Sequence, residues 1–194
     1  MSTLQPDVDI IDLFRATGGY LQGHFLLTSG RHSDAFLRAA ALSQHPHKMA
    51  AACRALARLF TDERVDVVVG PAVGGILVAY EVARALNSRM AFSERQNGDM
   101  AVLRGFALSA GERALVVDDV MTTGGSIRKT VEHLRSRHVA VVGVGVLVDR
   151  SGGSVRFDVP LRSLATIDIA TYDPSECPLC TQGISLTDPD ETAG

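Results

Sequence analysis

Lysine is nearly missing from this chain. Of its 194 residues 19 are basic, and only Lys48 and Lys129 are lysine, the other 17 being arginine. Cysteine is scarce too. Three residues make no disulfide framework, and a reducing cytoplasm is the expected setting. No apolar run approaches the ~20 residues of a membrane helix. The opening Met1-Ser2-Thr3-Leu4-Gln5-Pro6-Asp7 has neither the basic n-region nor the apolar h-region of a secretory signal. Positive charge is not in excess either: the net charge of −3 argues against a protein that tracks nucleic-acid phosphates. Internal repeats and low-complexity tracts are also missing. The expectation is a globular protein with no nucleic-acid and no membrane partner.

What is present fits that class. Apolar residues at 46% and charged residues at 21% rule out wholesale disorder. A chain of this length buries roughly 70% of its unfolded surface, enough for a core without metal or disulfide staples. It fits one domain, or one domain with a small appendage.

Periodicity predicts alternating elements. Val8, Ile10, Ile11, Leu13 and Phe14 predict an amphipathic helix over Asp7–Phe14, capped by Asp7 and stopped at Gly18-Gly19. Tyr20–Leu27 and Asp34–Ala39 predict a hairpin-like pair around Ser29-Gly30-Arg31-His32. From Pro46 onward Met49, Cys53, Leu56, Ala57, Leu59 and Phe60 recur at helical spacing. A strand at Val65–Gly70, a helix at Val73–Leu86, a strand at Met90–Glu94 and a polar loop at Arg95–Ala101 follow. Then come a strand at Ala114–Val117, a helix at Ser126–Arg137 and a long strand at Val139–Val148.

Short, continuously apolar strands separated by helices predict a parallel sheet covered on both faces. The fold class is therefore α/β: a doubly wound, mainly parallel sheet flanked by helices, with a small N-terminal cap or hood. Residues 1–40 are expected to form the N-terminal helix and hood, 41–186 the α/β core, and 187–194 a frayed tail.

The segment rich in chemistry is Ala114-Leu115-Val116-Val117-Asp118-Asp119-Val120-Met121-Thr122-Thr123-Gly124-Gly125-Ser126. A buried strand runs into two carboxylates, then a Thr/Gly/Ser loop, then a helix. Ligands of open α/β sheets bind at this end of a strand. Gly124 and Gly125 allow successive N–H groups to turn inward; Thr122, Thr123 and Ser126 add hydroxyls, and the helix adds its positive end. The loop contains no lysine, so it is not a GxxxxGK[ST] nucleotide loop. A phosphate monoester held by amides and hydroxyls fits it. Strand alternation sends Asp118 and Asp119 to opposite sides, where they can accept from sugar hydroxyls or hold Mg²⁺ through water.

This segment resembles the phosphoribosyl-diphosphate signature of the type I phosphoribosyltransferases. Gly23-His24-Phe25-Leu26-Leu27-Thr28-Ser29-Gly30-Arg31-His32-Ser33 resembles the N-terminal motif of the orotate-specific members. Gly70-Pro71-Ala72-Val73-Gly74-Gly75-Ile76-Leu77 resembles their pyrophosphate loop. The resemblance implies transfer of ribose 5-phosphate from phosphoribosyl diphosphate to N1 of orotate in pyrimidine biosynthesis. It implies Mg²⁺ as cofactor, held through substrate and water rather than by an assigned protein ligand. It places Thr122, Thr123, Gly124, Gly125 and Ser126, with Val120 and Met121 before them, around the 5′-phosphate. It gives Asp118 and Asp119 the ribose and the catalytic charge, and Ala72, Val73, Gly74 and Gly75 the pyrophosphate. Thr122 and Arg150 would contact orotate. A mobile loop over Ser93–Arg104, carrying Arg95 and Arg104, would close on the active site of the neighbouring subunit of a homodimer.

The chain departs from the family at its lysines. Many members carry Lys where this chain has Thr28 and Gly74, and Lys with His in the mobile loop; here none is present. The implied phosphate contacts are then amides, hydroxyls, Mg²⁺, Arg95, Arg104 and Arg150. A transferase for another base, or a phosphoribosyl-diphosphate sensor without turnover, is the competing reading. Sensors of that kind add a DNA-binding domain or a basic face, for which this length and charge leave no room. Cys177-Pro178-Leu179-Cys180 has zinc-ligand spacing. Cys53 lies in a predicted helix, so such a site would need histidines or a second subunit; a small turn with buried thiols is the plainer expectation. His24 and His32, flanking the N-terminal turn, are expected to play local structural roles.

Overall fold

The computed structural model describes residues 8–27 and 29–189. Helix α1 spans Ile10–Ala16. Its cap is Asp9, whose carboxylate accepts from the amides of Ile11 and Asp12, so the helix starts later than expected. Asp7, the predicted cap, lies outside the described residues. Strands β1 (Tyr20–Leu26) and β2 (His32–Leu37) pair antiparallel, and β2 also pairs with a late strand, β9 (Thr171–Tyr172). These three form the hood sheet. Strand β2 begins at His32, inside the predicted turn, because His32 and Ser33 both face inward and pair with β9.

Short helix α2 (Ala39–Ser43) leads into α3 (Pro46–Arg58), which starts at a proline, where the missing N–H costs nothing. The remaining elements are β3 (Val67–Pro71), α4 (Gly74–Leu86), β4 (Arg89–Gln96), β5 (Asp99–Val102), β6 (Arg113–Met121), α5 (Gly125–Ser136), β7 (Ala140–Asp149), β8 (Leu161–Thr166) and a terminal turn, α6 (Pro178–Thr181). The main sheet has the order β5-β4-β3-β6-β7-β8. Every pair is parallel except β4–β5.

The doubly wound expectation holds. One buried cluster joins α1, α3 and α4 to one face of the sheet, and another joins α5 to the opposite face. Phe60 shows how close the first layer packs. A β-carbon at Gly143 or Gly145 of β7 would fall 2.8 or 2.9 Å from its ring, so that strand needs glycine there. The strand order reverses between β3 and β6, whose carboxyl ends open one crevice.

The predicted polar loop at Arg95–Ala101 is instead a hairpin. Asn97 (φ 52°) and Gly98 (φ 89°) form a two-residue turn in the left-handed region, the geometry that Asn-Gly favours between antiparallel strands. The start of the 187–194 tail is tied down: Thr187 donates its N–H to His24 O at 2.8 Å and accepts from Leu26 N at 2.9 Å. Residues 190–194 lie outside the described residues. No helix among the described residues is long and apolar enough to cross a membrane.

Candidate active site

The end of β6 carries the acid pair, with an arrangement that alternation did not predict. Each carboxylate curls onto the next amide: Asp119 N–H donates to Asp118 Oδ1 at 3.0 Å, and Val120 N–H donates to Asp119 Oδ1 at 2.5 Å. Both carboxylates consequently face the start of α4. A β-carbon at Gly74 would lie 2.1 Å from Asp119 Oδ2, and one at Gly75 would lie 3.1 Å from Asp118 Oδ1. The expectation that the two side chains diverge is therefore corrected. Burial raises the Asp118 carboxyl well above the usual carboxylate range, and the neighbouring Asp119 charge raises it further. Burial raises Asp119 too, against the amides that favour its charged form. Among the described residues no Arg or Lys pairs with either acid. The pair offers carboxyl oxygens that no basic side chain of the described residues engages.

Glycine at 74 now has a reason. Any side chain there meets Asp119, so this chain cannot carry the family's lysine without turning the carboxylate away. Ala72, Val73, Gly74 and Gly75 lie between the end of β3 and the first turn of α4. The Ala72–Val73 peptide is cis. Ala72 N–H is taken by Ser93 O, whereas Val73 is 82% exposed at the mouth of the crevice.

After Met121, which is buried, the chain turns through Thr122 and Thr123 into α5. Gly124 holds φ 72°, and a β-carbon on it would crowd Val155 at 3.1 Å and Phe157 at 3.3 Å. Helix α5 starts there with no side-chain cap and no acid in its first turn. Its first amides and the hydroxyls of Thr122, Thr123 and Ser126 surround a pocket of ≈ 100 Å³ beside Asp118. Uncapped amides and a positive helix end suit an anion.

A larger cleft of ≈ 1000 Å³ opens between this loop and the hood, lined by Thr122, Thr123, Arg150, Gly30, Arg31 and Thr171 among others. Arg150 ends β7 as expected, with its amide bonded to Met121 O at 2.8 Å. Its Nε is buried and has no hydrogen-bond acceptor among the described residues, and burial lowers the pKa of the guanidinium. Arg31 is braced toward the cleft by Thr171, donating to its hydroxyl at 3.2 Å and to its carbonyl at 2.8 Å. The sequence reading gave Arg31 no separate role; its place in the Thr-Ser-Gly-Arg motif was the available signal. Thr28, where a family lysine is missing, lies outside the described residues.

The structure does not bring the two lid arginines together. Arg104 is engaged by Glu94 at 2.8 and 2.9 Å, whereas Arg95 is exposed on β4. Lys129 of α5 bonds Gly98 O and pairs with Asp99 at 3.3 Å, holding the hairpin turn.

The sequence pattern of the phosphoribosyl transferase domain matches residues 39–170. The orotate phosphoribosyltransferase of Desulforamulus reducens is 50% identical over 181 residues, covering 93% of this chain and 95% of that protein. That of Thermus thermophilus is 46% identical over 180 residues, covering 92% and 98%. The crystal structure of orotate phosphoribosyltransferase from Aeropyrum pernix superposes with a TM-score of 0.73 at 31% identity, covering 82% of this chain and 94% of that one. By this family match over residues 39–170 and these identities over most of its length, the chain belongs to the phosphoribosyltransferase family and, within it, to the orotate phosphoribosyltransferases.

Proposed function

We propose that the chain transfers ribose 5-phosphate from phosphoribosyl diphosphate to N1 of orotate, yielding orotidine 5′-monophosphate and pyrophosphate for pyrimidine biosynthesis. One observation carries the reading. A loop of uncapped amides and hydroxyls, Thr122–Ser126, lies between an acid pair that no Arg or Lys neutralises among the described residues and the half-buried Arg150, whose Nε has no acceptor there. Those three needs match a 5′-phosphate, a ribosyl centre that becomes cationic, and a base bearing a carboxylate.

The amides and hydroxyls of Thr122–Ser126 hold the 5′-phosphate. Asp118 and Asp119 accept from the ribose hydroxyls and set negative charge near the oxocarbenium that develops at the anomeric carbon, as in glycoside cleavage. Ala72–Gly75 offers amides to the departing pyrophosphate. Thr122 and Arg150 orient orotate, the guanidinium supplying charge-assisted bonds to its carboxylate. The oxygen-only donors of the acid pair fit a hard divalent cation bound through water. Magnesium, when bound, supplies charge that neutralises diphosphate oxygens. Arg95 reaches phosphate from the β4–β5 hairpin, and the hood with that hairpin excludes water.

The same reading makes the enzyme a cytoplasmic homodimer with a shared active site. Leu77 and Tyr80 support the dimer: they are 49 and 57% exposed and lie three residues apart on α4. Three free thiols agree with the reducing compartment.

The test is Arg150→Ala. Bonds to a charged group contribute about 1.5–3 kcal/mol, so KM for orotate should rise by roughly 10- to 100-fold while KM for phosphoribosyl diphosphate stays within about twofold. An unchanged KM for orotate would remove Arg150 from base recognition.

A further inference from the structure

The sequence left Cys177 and Cys180 two ligands short of a metal site. The fold supplies both. His24 comes from β1, His32 from β2, and the cysteines from the start of α6 (Cys177) and its last turn (Cys180), about 150 residues later. His24 Nε2 stands 2.9 Å from His32 Nδ1, 3.4 Å from Cys177 Sγ and 3.8 Å from Cys180 Sγ. Cys180 Sγ is 3.3 Å from His32 Nδ1, and all four atoms lie within 4.8 Å of one another.

Those spacings approach the edges of a coordination tetrahedron. With zinc–nitrogen bonds of about 2.0–2.1 Å and zinc–sulfur bonds of about 2.3 Å, the edges are about 3.3 Å between nitrogens, 3.6 Å between nitrogen and sulfur, and 3.8 Å between sulfurs. The ring orientation agrees. His24 Nδ1 lies 2.7 Å from Ile184 O, and a carbonyl can only accept; Nδ1 therefore holds the proton, and the Nε2 lone pair points into the cluster. A backbone carbonyl on the far ring nitrogen is the usual support of a metal-binding histidine. His24, His32 and Cys177 are buried, and only Cys180 is exposed.

We propose that His24 Nε2, His32 Nδ1, Cys177 Sγ and Cys180 Sγ form a structural zinc site clipping the C-terminal segment to the hood. Two sulfurs and two imidazoles in a tetrahedron select zinc among common cations, and four protein ligands leave no open position for catalysis. Binding releases the two thiol protons to solvent and leaves His32 protonated on Nε2, so the two thiolates balance the two positive charges of the metal. The clip sits at the base of the turn that lines the acceptor cleft. It adds to the backbone bonds between Thr187 and β1. Without metal, the same four groups would be a histidine–histidine hydrogen bond packed against two thiols.

The test needs no assumption about the reaction. The full chain, purified without a polyhistidine tag, is assayed for metal by mass spectrometry beside a Cys177→Ser/Cys180→Ser variant. The expected content is about one zinc per wild-type chain and less than about a tenth of that in the variant. Replacement of zinc by cobalt(II) in the wild type should give tetrahedral visible bands and thiolate charge transfer, and Cys53→Ser should keep both. That spectrum decides the matter even if the double variant fails to fold. Wild-type protein that takes up no zinc when it is supplied, zinc retained equally by the variant, or cobalt bound without thiolate charge transfer would each overturn the site.

Discussion

At the scale of single residues, the site is defined by a buried acid pair with no basic partner among the described residues. Burial holds Asp118 and Asp119 above the usual carboxylate range, and the neighbouring Asp119 raises Asp118 further. The sign for stability follows. A carboxyl whose folded pKa is raised loses stability as pH climbs from its unfolded value through the raised folded value. Asp118→Asn/Asp119→Asn removes that loss. The variant should melt no lower than wild type at pH 4 and progressively higher, relative to wild type, as pH rises toward 7. Parallel melting curves across that range would contradict a buried, uncompensated pair. The same substitutions should cut turnover by at least ~10²-fold, the scale of losing a preorganised electrostatic group. The two acids were legible as a pair from their place after a buried strand. Their shared direction was not, because it depends on each carboxylate folding back on the next amide.

At the scale of elements, the loop between β6 and α5 converts composition into geometry. Gly124 must hold φ 72° with its α-carbon against Val155 and Phe157. Gly124→Ala should cost about 1–2 kcal/mol, seen as a melting temperature lower by about 2–8 °C, together with weaker binding of phosphoribosyl diphosphate. Unchanged stability would mean the loop relaxes without strain. The central strands and helices were readable because buried strands such as Val67–Pro71 run unbroken in apolar residues while α3 and α5 keep a helical period. The edges were harder. In β8 a half-buried Leu-Arg-Ser-Leu-Ala-Thr shows no clean alternation, and β9 is a two-residue strand that pairing alone creates. The Asn97-Gly98 turn was visible in the sequence, and its meaning lay in the strands on either side. The hairpin also predicts that Arg95→Ala lowers turnover with little change in melting temperature, since Arg95 is exposed. An unaltered rate would take it out of phosphate binding.

At the scale of the whole molecule, the α/β layers bring three distant segments to one crevice: the end of β3, the end of β6 and the hood. Few lysines are needed there. Gly74 leaves the space that a side chain would take from Asp119, and in the proposed reaction arginines and amides would meet the anions. If two subunits share each site, mixing Arg95→Ala with Asp118→Asn/Asp119→Asn should raise turnover above the sum of the two variants measured separately. No rise above that sum would confine each site to one subunit. The identity of the base rests on the cleft around Arg150, and a direct assay decides it. The purified chain is incubated with Mg²⁺, phosphoribosyl diphosphate and, in turn, orotate, uracil, adenine, hypoxanthine and guanine, and pyrophosphate release is followed. The predicted result is release with orotate, which carries a carboxylate for Arg150, and background with the rest. Turnover of another base with none of orotate, or binding of phosphoribosyl diphosphate without turnover of any base, would contradict it.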